Sequence, residues 1–204
     1  DGSGLGIYAQ RYDVNGTAQG SEFKVNTYTA GSQQNASVTA LSNGGFVVSW
    51  VSNGQDGSGL GVYVQRYDAD GVSQGGEFRV NTYTAGDQTD PSITALNTGG
   101  FVVTWESSGQ DGSGYGIYAQ RYNANGVPQG SEFRVNTYAT STQSDPSITA
   151  LTNGGFVVTW MSNGQDGSGY GIYAQCYDAN GVLQGIEFKV NAYLTGTQSD
   201  PSIT

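Results

Sequence analysis

Histidine is absent from this chain of 204 residues, and cysteine occurs once, at Cys176. The Ser-His-Asp and Cys-His arrangements, in which an imidazole takes the nucleophile's proton, are therefore excluded. Zinc is denied its preferred nitrogen and sulfur ligands. A lone cysteine builds no disulfide framework. Basic residues are scarce too: 7 Lys and Arg against 17 Asp and Glu leave a net charge of −10. Binding to a phosphate backbone needs clustered cations that release counterions, so nucleic acid is not expected as a partner. The same balance disfavours an anionic membrane surface. No apolar run approaches the ~20 residues of a transmembrane helix, and no segment repeats its apolar residues at a spacing of about 3.6, so helix is not expected either.

What the chain has is a repeat. The stretch Gln55-Asp56-Gly57-Ser58-Gly59-Leu60-Gly61-Val62-Tyr63 returns almost unchanged at Gln110 and Gln165, and the chain opens inside it. Its Asp falls at 1, 56, 111 and 166, a period of 55 residues without drift. A fixed period of this size overrides any domain count based on length. The chain reads as one repeat domain, 1–204, with units at 1–55, 56–110, 111–165 and an incomplete 166–204, cut from a longer array.

Each unit predicts four short strands. Gly6 to Tyr12 alternates with period two, as does Ser21 to Asn26. Asp13-Val14-Asn15-Gly16 between them is a turn in which the Asp side chain bonds its own backbone. A polar connection from Thr27 to Ala36 ends, in later units, in Asp-Pro, where proline pushes the residue before it toward extended geometry. Ser37 to Leu41 is a short third strand. Phe46 to Trp50, apolar almost throughout, is the most buried strand. Four antiparallel strands repeated in tandem give an all-β, propeller-like array of four-stranded blades. The Ser37 type of strand is innermost, followed by the Phe46, Gly6 and Ser21 types. A closed four-bladed ring needs sixteen strands, and the chain supplies about fifteen; the absent one is an apolar second strand. An open solenoid or filament of stacked blades is the alternative.

The paired motifs Pro-Ser-Ile-Thr-Ala-Leu-x-x-Gly-Gly-Phe-Val-Val-Thr-Trp and Gly-Gln-Asp-Gly-Ser-Gly-x-Gly-Ile-Tyr-Ala-Gln-Arg-Tyr-Asp resemble tandem repeats of large secreted bacterial proteins, the RTX-type, hemolysin-like adhesins and surface proteins. The resemblance spans the whole chain. It implies export, an extracellular or cell-surface location and a calcium-rich medium. The calcium-binding nonapeptide of that family is absent here, so its calcium sites do not transfer.

The residues offer three kinds of chemistry. Asp1, Asp56, Asp111 and Asp166 head Gly-rich loops whose oxygens suit Ca²⁺; the same Asp side chains also serve as turn caps. Tyr115 and Tyr170 replace Leu5 and Leu60 in the loop and are candidate platforms for a glycan. Asp70, Asp87 and Glu106 are the only acids outside common repeat positions, and a carboxylate pair for glycoside hydrolysis would have to break the symmetry. On these grounds the chain is expected to be no enzyme. The expected role is a structural and multivalent adhesive module whose partners are neighbouring copies or the rest of a longer chain; a glycan-binding propeller is the alternative. Arg11, Arg66 and Arg121 are expected to pair with Glu22, Glu77 and Glu132, which would leave Glu187 unpartnered opposite Cys176.

Overall fold

A computed structural model describes residues 4–204. Its strands follow the repeat. The first unit gives β1 (Tyr8–Tyr12) and β2 (Ala18–Lys24), a two-stranded sheet. Three complete sheets follow, each with four antiparallel strands: β3 (Gln33–Ala40), β4 (Phe46–Asn53), β5 (Leu60–Tyr67) and β6 (Phe78–Arg79); β7 (Gln88–Ala95), β8 (Phe101–Ser108), β9 (Tyr115–Tyr122) and β10 (Phe133–Arg134); β11 (Gln143–Ala150), β12 (Phe156–Asn163), β13 (Tyr170–Tyr177) and β14 (Leu183–Lys189). Spatial order equals chain order within each sheet, as expected. The described residues contain no helix.

The second strand of each sheet is the core. Trp50, Trp105 and Trp160 are fully buried, and β8 and β12 are closed to solvent over almost their whole length. Val47, Val62, Val64 and Val80 of one blade pack against Phe101, Val103 and Trp105 of the next. The pattern repeats one unit on, with Val102, Ile117 and Val135 against Phe156, Val158 and Trp160. Both faces of a blade are thus apolar because both meet a neighbour, and each such side chain contributes about 1.5–3 kcal/mol of burial. Phe46, Phe101 and Phe156 stack on Tyr67, Tyr122 and Tyr177 at 4.8–5.0 Å between ring centres. The turn before each second strand needs glycine for want of space: a Cβ on Gly100 would lie 2.2 Å from the Tyr122 carbonyl oxygen.

Two features depart from the sequence reading. The inner strand begins at Gln33 and not at Ser37, because it passes through a bulge at residues 35–36 before continuing. The same bulge occurs at 90–91 and 145–146. Its first residue is left-handed, with φ of 54° at Asn35, 48° at Asp90 and 51° at Asp145. Proline therefore does not hold these Asp residues extended. Asn and Asp tolerate the left-handed region better than most residues. The segment 201–204, expected to be an inner strand, pairs with no strand.

Candidate functional site

The inner strands bring the four repeats together. Asn35-Ala36-Ser37 and the three Asp-Pro-Ser tripeptides at 90–92, 145–147 and 200–202 line one axial cavity of about 510 Å³. Three carboxylates and one amide therefore face a common space. Asn35 donates from Nδ2 to Asp90 Oδ1 at 2.7 Å. Burial pushes the Asp145 carboxyl up from its ordinary value, and the charges of Asp90 and Asp200 add to this.

A buried break of symmetry lies between the second and third complete blades. Glu106 on β8 stands where β4 and β12 carry Val51 and Met161, and it is 6 % exposed. Its Oε1 accepts a hydrogen bond from the Asp145 backbone N–H at 2.7 Å, and its Oε2 accepts one from Thr89 Oγ1 at 3.3 Å. Burial raises the Glu106 pKa from 4.5 to about 7; the nearby charges of Asp90 and Asp145 push the same way, while the two hydrogen bonds oppose them. Tyr115, half-buried at the start of β9, lies in the same field. Its phenol is raised by burial first and then by Asp87, Glu106 and Asp90. A second asymmetric acid, Asp87, turns to the preceding blade, where it accepts the Leu60 N–H at 3.0 Å. Of the symmetry-breaking acids, Glu106 thus lies with the axial Asp90 and Asp145, Asp87 reaches Tyr115 by its charge from the preceding gap, and Asp70 sits on an outer turn whose carbonyl accepts from Arg11.

The arrangement sets a carboxyl whose pKa burial raises to about 7 against the Asp145 backbone, behind the carboxylates that line the open cavity. That division, one acid and one base or nucleophile from two like groups, is what glycoside hydrolysis and other carboxylate acid–base reactions require. The sequence signal for it was the glutamate at an otherwise apolar position. The axial Asp ring was visible only as Asp-Pro.

The other sequence candidates lie elsewhere. Asp56, Asp111 and Asp166 each accept the N–H of the serine two residues on, at 3.1–3.2 Å, as turn caps. Their Oδ2 atoms are buried against Gly61, Gly116 and Gly171 and have no hydrogen-bond partner. Among the described residues no three His, Cys, Asp or Glu side chains come together as a metal cluster. Asp1 lies outside the described residues. Tyr170 is half-buried like Tyr115, but position 161 beneath it holds a methionine. The arginine pairing is corrected. Arg11, Arg66 and Arg121 reach past their own sheets and donate to carbonyls of the next blade's turn, at Ala69 and Asp70, at Asn125, and at Ala179 and Asn180. The glutamates turn the other way, toward backbone amides left free in the preceding connection. Glu77 accepts from Thr27 N, Glu132 from Thr82 N and Glu187 from Thr137 N, each at 2.6 Å. Glu187 is thus not orphaned by Cys176.

No family model and no curated protein matches this chain. Solved structures do. A thermostable family-43 glycoside hydrolase is 12 % identical with a TM-score of 0.54, matched over 82 % of this chain and 57 % of its own. An α-L-arabinofuranosidase from Lactobacillus brevis is 12 % identical with a TM-score of 0.52, over 91 % and 65 %. The fold is that of a β-propeller. A fucose lectin from Kordia zhangzhouensis, solved with methyl-fucoside, matches at 14 % identity and a TM-score of 0.42 over 78 % of this chain and 99 % of its own. The chain spans about three-fifths of the length of the hydrolases it matches. This likeness corrects the expectation that the chain is no enzyme. Absent histidine removes imidazole chemistry but not carboxylate chemistry, and Glu106 breaks the symmetry that the repeat otherwise imposes.

Proposed function

We propose that this propeller acts on glycans at its axial cavity, as a carboxylate-dependent glycoside hydrolase. The observation that carries this reading is the buried Glu106 carboxyl, hydrogen-bonded to the Asp145 N–H at a single blade gap, with its pKa raised by burial to about 7. Glu106 is the general acid that protonates the leaving oxygen. An axial carboxylate, Asp90 or Asp145, is the base or nucleophile on the opposite face of the sugar. Tyr115 offers the sugar an aromatic surface at the mouth. The hydrolases that share the fold support the choice of substrate class, and the α-L-arabinofuranosidase directs the first screen to arabinosides. The test is release of chromophore from a panel of aryl glycosides by the wild-type chain and by Glu106→Gln. Turnover reduced at least about 100-fold in the variant supports the assignment; equal turnover overturns it.

Glycan binding without turnover is a second reading, favoured by Tyr115 and by the small, uncharged lining that Pro and Ser add to the cavity. The repetition supports one further element: nearly identical blades in a secreted surface or matrix protein give weak contacts in multiple copies, and so avidity. Calcium at the Asp56, Asp111 and Asp166 loops belongs to the same proposal, supported by the unpartnered Oδ2 atom in each. A melting temperature unmoved by chelation would remove it.

A further inference from the structure

In every four-stranded sheet the same three side-chain atoms are buried without a hydrogen-bond partner in the protein. They are Trp50 Nε1, Ser52 Oγ and Asp56 Oδ2 in the first sheet, with Trp105, Ser107 and Asp111 in the second and Trp160, Ser162 and Asp166 in the third. The Trp and Ser side chains are fully buried in all three. Such an atom has lost its solvation and gained nothing in return. The Oε1 atoms of Gln55, Gln110 and Gln165 recur in the same way, but those side chains turn to Glu77, Glu132 and Glu187.

The register gathers the trio on one face. Across the β4–β5 ladder Trp50 pairs with Tyr63 and Ser52 with Gly61. Opposed residues share a face, as do residues two apart on one strand, so these four lie on the same side of the sheet. Asp56, on the turn joining the two strands, folds back over that side. A Cβ on Gly61 would lie 2.8 Å from Asp56 Oδ2 and 3.3 Å from Tyr63 Cε2. The carboxylate thus takes the place of the side chain that Gly61 lacks, opposite Ser52 and beside the Trp50–Tyr63 pair. Its charge reaches the Tyr63 phenol, which is raised first by burial and then by Asp56. The other sheets repeat the arrangement, with Ser107 opposite Gly116 and Ser162 opposite Gly171. Their Asp111 and Asp166 Oδ2 atoms lie 2.8 Å and 2.9 Å from the corresponding Cβ positions.

We infer that each of these sheets encloses one water molecule here, held by the indole N–H, the serine hydroxyl and the aspartate. Chemistry selects the ligand. An indole nitrogen only donates, a carboxylate only accepts, and a hydroxyl does either. The occupant must accept from Trp50 and donate to Asp56, which water does and a bare cation does not. Three polar partners is the usual number for a buried water. Ser52–Gly61, the smallest opposed pair of the ladder, stands next to Trp50–Tyr63, the largest, and that step in size supplies the room. Asp56 Oδ1 is already taken by the Ser58 N–H, so the water completes the carboxylate and ties the Asp-Gly-Ser-Gly loop to the core of the second strand. Oδ2 keeps a further lone pair for the loop side, so the inference stands apart from the calcium reading and from the glycan reading.

The chain has three Trp, so each indole reports one site. The test is magnetisation transfer from water to the indole N–H in the full ¹⁵N-labelled chain, with a high-resolution crystal structure of the same protein. Expected are cross-peaks from a long-lived water to all three indoles, and one ordered water within about 3.2 Å of the three atoms in each sheet. Ser107→Val fills the space and should abolish the Trp105 cross-peak while leaving those of Trp50 and Trp160. If that variant does not fold, the wild-type measurements decide alone. Wild-type indoles without a water cross-peak overturn the inference. So does a direct bond from Trp Nε1 to Asp Oδ2, a cation at the position identified by its anomalous scattering, or a Trp105 cross-peak that survives Ser107→Val.

Discussion

Replacing Glu106 by Gln should stabilise the chain at alkaline pH and leave it unchanged in acid. A carboxyl whose folded pKa lies above its unfolded one binds its proton more tightly when folded. Below about pH 4.5 both states are protonated and the buried site costs nothing. As pH rises the unfolded chain ionises first, and the cost is complete once pH passes the folded value of about 7. Raising that pKa from 4.5 to about 7 corresponds to about 3 kcal/mol of lost stability above neutrality. Gln is nearly isosteric, keeps an oxygen for the Asp145 N–H and turns an amide toward Thr89, so the geometry survives while the penalty goes. For a chain of this size about 3 kcal/mol moves the melting temperature by about 6–12 °C. Thermal unfolding of both chains from pH 4 to 8.5 should give curves that coincide in acid and diverge through pH 5–7, with the variant higher. A constant offset at all pH values, or a variant less stable at pH 8, would refute the reasoning.

Gly100→Ala should cost about 1–3 kcal/mol, because its Cβ would lie 2.2 Å from the Tyr122 carbonyl. Gly76→Ala, where a Cβ meets nothing within 4 Å, should change stability by no more than about 0.5 kcal/mol; urea unfolding of the pair separates the two. Arg121→Ala removes the charged donor to Ala179 and Asn180 on the next blade and should cost about 2 kcal/mol by the same assay. Cys176→Arg restores that donor in the last unit. If the first sheet adjoins the last, the new guanidinium reaches the Val14–Asn15 turn and raises the melting temperature; no rise would show that the two sheets do not meet there.

Much of the architecture was legible because the repeat states it four times. The period placed Trp50, Trp105 and Trp160 on one kind of strand, and the apolar run around each marked it as the buried second strand. The Asp13 turn was readable because its hydrogen bonds, from Asn15 N and Thr17 N to Oδ1, are local. What was not readable depends on the neighbouring blade. Arg66 and Glu77 look like a cross-strand ion pair along the chain, yet each bonds backbone groups 49–59 residues away that only stacking brings close. The bulge at Asp90-Pro91 was hidden because the usual preference before proline is extended. Glu106 could be singled out by its polarity at an apolar position. Its partner Asp145 could not, since the hydrogen bond crosses 39 residues and a blade boundary.

The central claim is that glycans engage the axial cavity at the Glu106 gap. The most direct test is a crystal structure of the Glu106→Gln chain soaked with an arabino-oligosaccharide. The account predicts a sugar seated between Asp90, Asp145 and residue 106, with a ring against Tyr115. Sugar bound equally at every blade gap, or none on the axis at saturating concentration, would contradict it.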